Sequence, residues 1–472
     1  MLAAAGRSEA LDIQASARVE SIAAGGAGVV RLDRRVVFVP RAVPGDRVRF
    51  RVISDRGKFL LGELEAVEEA SPHRREPPCP HWEGCGGCPL QMAAPEAQLE
   101  AKRRIFLDAL QRIGKLELPV PLREILPGGP EFHYRARARF QVRGEEIGFF
   151  APGTRRLQPI EDCLLVERPV ARALAGVRRF LKAEPGARRV DAVEITSLGP
   201  DPEEGAGLQV FPPGSREGFP ARDLPRAVRS LWVTFAQDSG FRLNFWGERK
   251  PGEPPAWTAR HLPEPDAACV LRISPESFLQ PSRAANQALV KTLLDEARVR
   301  PGGRLVDLFC GAGNLTLPFA RRGVRAVGVE SNPFAVQDAI ASARDNAQEA
   351  AGGAPPLFLL REAGRAEAGE IRGALGGSPE VLLLDPPRKG ALEAVPLILA
   401  LEPRQILYVS CNPATFARDA RALHEGGYRI DGAHIVPMFP NTAHVETLTS
   451  WSRAAGAAPE GEDSSWPPSE GC

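Results

Sequence analysis

From about residue 285 onward the chain alternates helical and strand-like segments, and no other feature constrains its fold as strongly. Apolar residues recur with a helical period over 284–297, 314–322, 333–347 and 414–425. Short apolar runs lie between and after them, at 304–308, 325–329, 357–360, 381–384, 406–409, 433–437 and 446–451. Helices and strands in such alternation bury their apolar faces as layers on a mostly parallel, doubly wound α/β sheet.

Open sheets of this kind hold ligands at the carboxyl ends of their strands, and four such ends carry suggestive residues. The run Asp307-Leu308-Phe309-Cys310-Gly311-Ala312-Gly313-Asn314 follows a strand and opens a helix. Its glycines let backbone approach a ligand at a helix N-terminus. Glu330 ends the next strand, about 20 residues on, where an acid can accept hydrogen bonds from ribose hydroxyls. No G-x-G-x-x-G is present, which counts against NAD. Asp385-Pro386-Pro387-Arg388 ends another strand, with prolines that stiffen a loop able to border cofactor and target; a plain structural turn is the alternative. Together these loops favour S-adenosylmethionine. Cys310 reads as a packed strand-end thiol.

Cys411, in Val409-Ser410-Cys411-Asn412-Pro413, follows a further strand. A thiolate there is a strong nucleophile whose pKa polar neighbours can lower. A buried inert thiol is the bland reading, and the polar flanks Ser410 and Asn412 argue against it. Glu446 follows Phe439-Pro440-Asn441-Thr442-Ala443-His444-Val445 and is a candidate general base. His444 reads as a structural histidine rather than a catalytic one.

Upstream, residues 15–69 read as a small β domain of the OB-barrel type, with strands at 17–22, 28–32, 36–39, 47–53 and 60–67. Arg47, Arg49 and Arg51 share one strand face, with Arg56 and Lys58 in the turn. That face is either solvated or in contact with RNA. An amphipathic helix is expected over Pro95–Leu116, with Leu99, Ile105, Phe106, Ala109, Leu110 and Ile113 inward. A second alternating stripe comprises Arg135, Arg137 and Arg139. Strand-like pieces at 190–195, 208–211, 231–235 and 242–245 complete an α+β domain.

Cys79, Cys85 and Cys88 form C-x5-C-x2-C in a Pro/Gly-rich loop. Cys163 is the only other cysteine in the first 268 residues. Four thiolates can close a metal site. One C-x2-C joined by two singly placed cysteines favours an iron–sulfur cluster over zinc.

The 472 residues allow two to four domains, and 43% hydrophobic content suits packed cores. The net charge of +1 predicts no polyanion partner by itself. No apolar run approaches the ~20 residues of a membrane span, and no secretory leader pattern opens the chain. A cytoplasmic protein is expected. Residues 454–472, rich in Ala, Gly, Pro, Ser and Glu, read as a disordered tail.

With these motifs in hand, the chain resembles the uracil-5 RNA methyltransferase family, which makes 5-methyluridine in rRNA and tRNA. The resemblance spans nearly the whole length. It implies a TRAM domain over 8–70 and a central iron–sulfur domain over 71–275, whose helix 95–116 packs on the catalytic domain. A Rossmann-like S-adenosylmethionine-dependent methyltransferase domain would follow over 276–453. Carried over, Cys79, Cys85, Cys88 and Cys163 would bind a 4Fe-4S cluster. Gln280, Phe309, Asn314, Glu330 and Asp385 would contact cofactor or uracil, and Glu362 would supply the polar position after the strand at 357–360. Cys411 would be the nucleophile and Glu446 the base. The family's asparagine two residues after Gln280 is Ser282 here. Barrel and cluster together favour 23S rRNA as substrate over the T-loop of tRNA; a non-catalytic RNA-binding protein is the third reading. A monomer suffices, and the target uridine would be flipped from a loop.

Overall fold

The computed structural model describes residues 13–126, 128–215, 224–265, 269–347 and 355–453; the tail at 454–472 lies outside them. The first sheet holds β1 (Ile13–Arg18), β2 (Ser21–Ile22), β3 (Gly28–Leu32), β4 (Arg35–Val39), β5 (Arg47–Asp55) and β6 (Leu60–Glu69), in the order β1-β5-β6-β4-β3-β2. The single strand expected over 17–22 is two strands, broken where Val19 N–H donates to Asp46 O at 2.8 Å. Alternation along β5 buries Val48, Phe50 and Val52 against Val30, Val37 and Val39. Arg47, Arg49 and Arg51 point the other way, where β6 meets them with acids. Arg47 pairs with Glu68 at 3.5 Å, Arg49 with Glu65 at 3.8 Å, and Arg51 with Glu63. This face is charge-balanced, not a basic stripe.

Helix α1 (Pro95–Ala109) runs into a π-helical turn, Leu110–Gly114, and ends at Lys115 in the left-handed region at φ 56°. The wider turn rotates the side chains that follow, which is why Ile113, expected inward, is exposed while Leu110 is buried. Strand β7 (Leu122–Glu124) follows.

The second sheet is β8 (Arg137–Arg143), β9 (Glu146–Phe150), β10 (Leu157–Pro159), β11 (Ala192–Ser197), β12 (Ala206–Phe211) and β13 (Arg242–Phe245), ordered β10-β9-β8-β11-β12-β13. Helices α2 (Arg168–Ala183) and α3 (Arg226–Asp238) pack on it. The run 231–235, expected as a strand, lies inside α3. Its β-branched and aromatic residues suit a strand locally, but Val228, Trp232 and Ala236 recur every fourth position and bury one helix face, and packing overrides propensity. Phe235 stacks on Phe180 at 4.2 Å. A hairpin-like pair, β14 (Ala259–His261) and β15 (Leu271–Ile273), stands apart.

The third sheet runs from α4 (Arg283–Glu296) through β16 (Arg304–Leu308), α5 (Thr316–Arg321), β17 (Arg325–Glu330), α6 (Pro333–Asn346) and β18 (Leu357–Leu360). It continues with α7 (Ala368–Leu375), β19 (Val381–Leu384), α8 (Val395–Leu401), β20 (Gln405–Ser410), α9 (Pro413–Glu425), β21 (Tyr428–Val436) and β22 (Glu446–Arg453). The order is β18-β17-β16-β19-β20-β22-β21-β7. The first five strands are parallel, and β22 runs antiparallel to both its neighbours.

Strand alternation sorts the apolar residues into two cores. Val306, Leu382 and Ile406 face Phe106, Ile371, Ile398 and Phe416 on one side. Leu305, Leu383 and Leu407 face Leu289, Leu293 and Phe319 on the other. Both faces are therefore covered by helices. Short α7 and α8 were not legible in the sequence pattern. Two pieces of the 71–275 stretch pack here too: Phe106 of α1 meets Phe416 at 5.4 Å, and β7 extends the sheet beside β21.

The chain runs outward from β16 to β18, then returns to β19 on the far side of β16. That reversal leaves a crevice at the carboxyl ends of β16 and β19, the usual ligand position. Among the described residues no helix is long and apolar enough to cross a membrane.

Candidate active site

Phe309 leaves β16 at φ 68°, a left-handed conformation that costs a bulky residue ~1–3 kcal/mol. Its N–H and that of Cys310 both donate to Val329 O, at 2.9 and 3.1 Å, which pins the turn to β17. Gly311 and Gly313 follow with φ 54° and 87°. A Cβ built on Gly311 meets nothing within 4 Å, so open space lies in front of the loop. Cys310 is buried behind it.

Three carboxyls lie near one another here, close enough for Asp385 and Glu330 both to raise Asp307. Asp307 accepts from Thr316 Oγ1 at 2.6 Å through Oδ2, while its buried Oδ1 has no partner among the described residues. Burial pushes it up to about 8, with Asp385 and Glu330 adding. Glu330 Oε2 accepts from Gly311 N at 3.0 Å and Oε1 from Ser331 N and Asn332 N, both at 2.7 Å. Asp385 Oδ2 accepts from Gln280 Nε2 at 3.1 Å. Lining by protein pushes Asp385 up to about 7, although it remains partly open to the crevice.

The segment leading to Gln280 is held from two sides. Half-buried Arg137 donates to Ser277 O, and Ser274 and Ser277 hydroxyls both bond Asp338 Oδ2 of α6, at 2.7 and 2.6 Å. Arg137 thus braces the ligand-facing segment, and the second arginine stripe is structural: Arg139 pairs with Glu194 at 3.2 Å and lies over Phe211. Ser282 caps α4, its Oγ accepting from Ala285 N at 3.3 Å. Asn314 exchanges hydrogen bonds with Asn286, at 2.8 and 2.9 Å, and Asn286 in turn bonds buried His261. That amide pair locks the glycine loop to α4. Glu362 stands apart: it is exposed and pairs with Arg365 at 3.0 Å.

Register brings Cys411 and Glu446 together. Ser410 of β20 opposes Thr447 of β22 in an antiparallel pair, so the residue leaving one strand lies beside the residue entering the other. Burial pushes the Cys411 thiol up to about 12, with Glu446 and Asp385 adding and Arg388 opposing. Burial likewise holds Glu446 well above the carboxylate range, with Asp385 adding and Arg388 opposing. Polar neighbours can lower a thiol, but here two carboxyls and burial outweigh one exposed cation. Arg388 is fixed at its carbonyl by Asn412 Nδ2 at 2.9 Å and donates to His444 Nε2 at 3.1 Å. Burial and nearby cations push His444 down to about 4, so a neutral ring accepts from Arg388. Asn412 also caps α9, accepting from Ala414 N at 3.1 Å.

The loop 439–445 that delivers Glu446 is anchored by residues the sequence reading missed. Lys102 Nζ donates to Phe439 O at 2.8 Å and Tyr134 OH to Pro440 O at 3.1 Å. Asn441, fully buried, bonds Gln98 at both its N–H and its Oδ1, and Arg75 donates to the same Oδ1 at 2.8 Å. Gln98 and Lys102 are polar residues four apart on the apolar face of α1, a signal that was present in the sequence.

Cys79, Cys85, Cys88 and Cys163 are free and half-buried. They lie close enough to raise one another: Cys88 is pushed up chiefly by burial, then by Cys163, Cys85 and Cys79. Among the described residues, no three His, Cys, Asp or Glu side chains are arranged to hold a metal ion. Trp82 Nε1 donates to Cys88 O at 3.0 Å and Gly86 N to Phe150 O at 3.1 Å, which fold the loop onto the second sheet.

A doubly wound sheet with a crevice at the carboxyl ends of its strands and a strand-end cysteine beside a carboxyl is the architecture of a nucleotide-cofactor transferase fold. The family model described as tRNA (uracil-5-)-methyltransferase matches residues 378–453. The 23S rRNA (uracil(1939)-C(5))-methyltransferase RlmD of Acidithiobacillus ferrooxidans is 35% identical, covering 92% of this chain and 96% of that protein. The enzyme of the same name from Pseudomonas putida is 35% identical over 94% of this chain and 93% of its own length. Among solved structures, the Pyrococcus abyssi tRNA (uracil-54, C5)-methyltransferase in complex with S-adenosyl-L-homocysteine superposes with a TM-score of 0.68 at 22% identity, covering 92% of this chain and 99% of that one. The chain belongs to the RNA uracil-5 methyltransferase family, and it is an S-adenosylmethionine-dependent enzyme.

Proposed function

We propose that this protein methylates carbon 5 of a uridine in 23S rRNA through a covalent bond between Cys411 and carbon 6 of the uracil. The observation that carries this reading is the strand register that sets Cys411 beside Glu446, with Asp385 and Arg388 around them. When bound, S-adenosylmethionine supplies an electrophilic methyl group on its sulfonium. The open space before Gly311 and the unpartnered Asp307 Oδ1 suit such a ligand, and Phe309, Asn314, Glu330, Gln280 and Asp385 would contact it or the uracil.

The ionised Cys411 sulfur adds to carbon 6. The carbon 5–carbon 6 π pair moves into an enolate over carbon 4, which makes carbon 5 nucleophilic. After carbon 5 is methylated, Glu446 takes its remaining proton. The electrons of that C–H bond re-form the double bond, and the C–S bond breaks to return the thiolate. Arg388 favours the charged forms of both groups, and His444 holds Arg388.

In this reading residues 8–70 are a TRAM-type RNA-binding barrel, 71–275 the cluster domain, and 276–453 the methyltransferase domain of a cytoplasmic monomer. Cys79, Cys85, Cys88 and Cys163 would hold a 4Fe-4S cluster. The thiols are electrostatic neighbours, which supports a shared site, although among the described residues no three of them are arranged to hold a metal ion. Glu362 would turn inward only on breaking its pair with Arg365. The relatives named for rRNA cover the chain at higher identity than the tRNA enzyme, which supports rRNA.

The test is methyl transfer from labelled S-adenosylmethionine to separated rRNA and tRNA from cells lacking the protein. Label in 5-methyluridine of 23S rRNA is expected. Label confined to tRNA would replace the substrate, and no label in either would overturn the function.

A further inference from the structure

A second cavity, of about 510 Å³, shares none of its lining with the Cys411 site. Arg242 at the start of β13, Arg260 of β14 and Arg272 of β15 line it, with Glu204 and Trp257. Arg260 and Arg272 stand directly opposite each other across the antiparallel pair, an arrangement that repels unless it is compensated. Glu204 pairs with Arg260 and Asp345 with Arg272. Arg242 has no hydrogen-bond or ion-pair partner among the described residues, so the cavity keeps an unspent cation. Trp257 is only 6% exposed, and its ring lies so close to Gly207 that a Cβ there would come within 2.6 Å. Its indole N–H has no acceptor among the described residues.

A buried N–H without an acceptor beside an unpaired guanidinium calls for a ligand that only accepts and carries negative charge. Arg242 is exposed and free to pair with an anion, and the three arginines disfavour a cation. We propose that this cavity seats a backbone phosphate of the RNA substrate, bonded by Arg242 and the Trp257 indole, as a positioning contact remote from the target uridine. This inference rests on the reading that the protein acts on RNA. A phosphate held here would fix register without reading sequence.

The test uses the full-length protein and a fragment of 23S rRNA, with Kd measured across a salt series and kcat at saturating RNA. Arg242→Gln should weaken binding severalfold and lower the slope of log K against log salt by about 0.7–0.9, the value of one phosphate contact, with kcat unchanged. Arg242→Lys, which keeps the charge, should retain the slope. Trp257→Phe, which keeps the ring and loses the N–H, should weaken binding without changing the slope. Unchanged Kd and slope in Arg242→Gln would overturn the proposal. So would an Arg242-dependent site for inorganic phosphate, read by tryptophan fluorescence, in a protein whose RNA affinity ignores the substitution. The binding measurement does not depend on methyl transfer. A wild type that binds RNA but never methylates it would refute the proposed function and leave this result standing.

Discussion

The backbone N–H of Leu90, two residues past Cys88, donates to the carbonyl of Asn441 at 3.1 Å. That bond ties the cysteine loop to the loop that delivers Glu446. Asn441 is the junction: it sits at φ 66°, is fully buried, and also meets Gln98, Arg75 and the carbonyl of Glu131. A disturbance of the cysteine loop therefore reaches the loop before Glu446 through a few hydrogen bonds.

Asn441→Ala should lower kcat about tenfold or more, roughly 1.4 kcal/mol, with a smaller effect on S-adenosylmethionine affinity. Asn441→Gly loses the same side-chain bonds but spares the left-handed strain of ~1–2 kcal/mol, so it should melt higher than the alanine variant. Equal melting temperatures would remove the strain from the account.

Cys411→Ala should abolish methylation while RNA binding stays largely intact. Glu446→Gln should accumulate covalent RNA–protein adduct, visible as a slow band in denaturing gels. Normal turnover by the glutamine variant would take Glu446 out of the mechanism.

Methylation should speed up as pH rises. Cys411 is pushed up to about 12 and Glu446 well above its ordinary range, and in the proposed mechanism each acts in its deprotonated form. The active fraction of both therefore grows with pH through the neutral and mildly alkaline range. Arg388→Gln removes the cation that favours both charged forms, so its pH–rate profile should lie to the alkaline side of wild type. A wild-type profile that falls above neutrality, with protein still folded, would contradict these assignments.

The triple variant Arg47→Gln, Arg49→Gln, Arg51→Gln should barely change the salt dependence of RNA binding, because Glu68, Glu65 and Glu63 already neutralise the strand. Three true phosphate contacts would instead lower the slope by about 2–3, as read by a titration series in salt.

The catalytic sheet was legible because each of its signals is local. Apolar runs mark buried strands, and the glycines at 311 and 313, Glu330 and Asp385 sit at strand ends whatever the rest of the chain does. Cys411 and Glu446 could be singled out, but their adjacency could not, since it depends on the register of Ser410 against Thr447. Register also hid the acids facing Arg47, Arg49 and Arg51. The helix at 226–238 was misread because its propensity opposes its packing, and Ile113 because a π turn shifts the face of α1. Gln98 and Lys102 were readable as polar intrusions on an apolar stripe. Asn441 was not, because its role comes from four segments distant in sequence.

The central claim is the covalent bond from Cys411 to the uracil. The most direct test is to incubate the protein with S-adenosylmethionine and an RNA carrying 5-fluorouridine at the target, then map the product by peptide mass spectrometry. Fluorine at carbon 5 cannot leave as a proton, so the account predicts a stable methylated adduct on the peptide bearing Cys411, absent from Cys411→Ala. Methyl transfer to the ordinary RNA with no adduct on the fluorinated one, or an adduct on another residue, would contradict it.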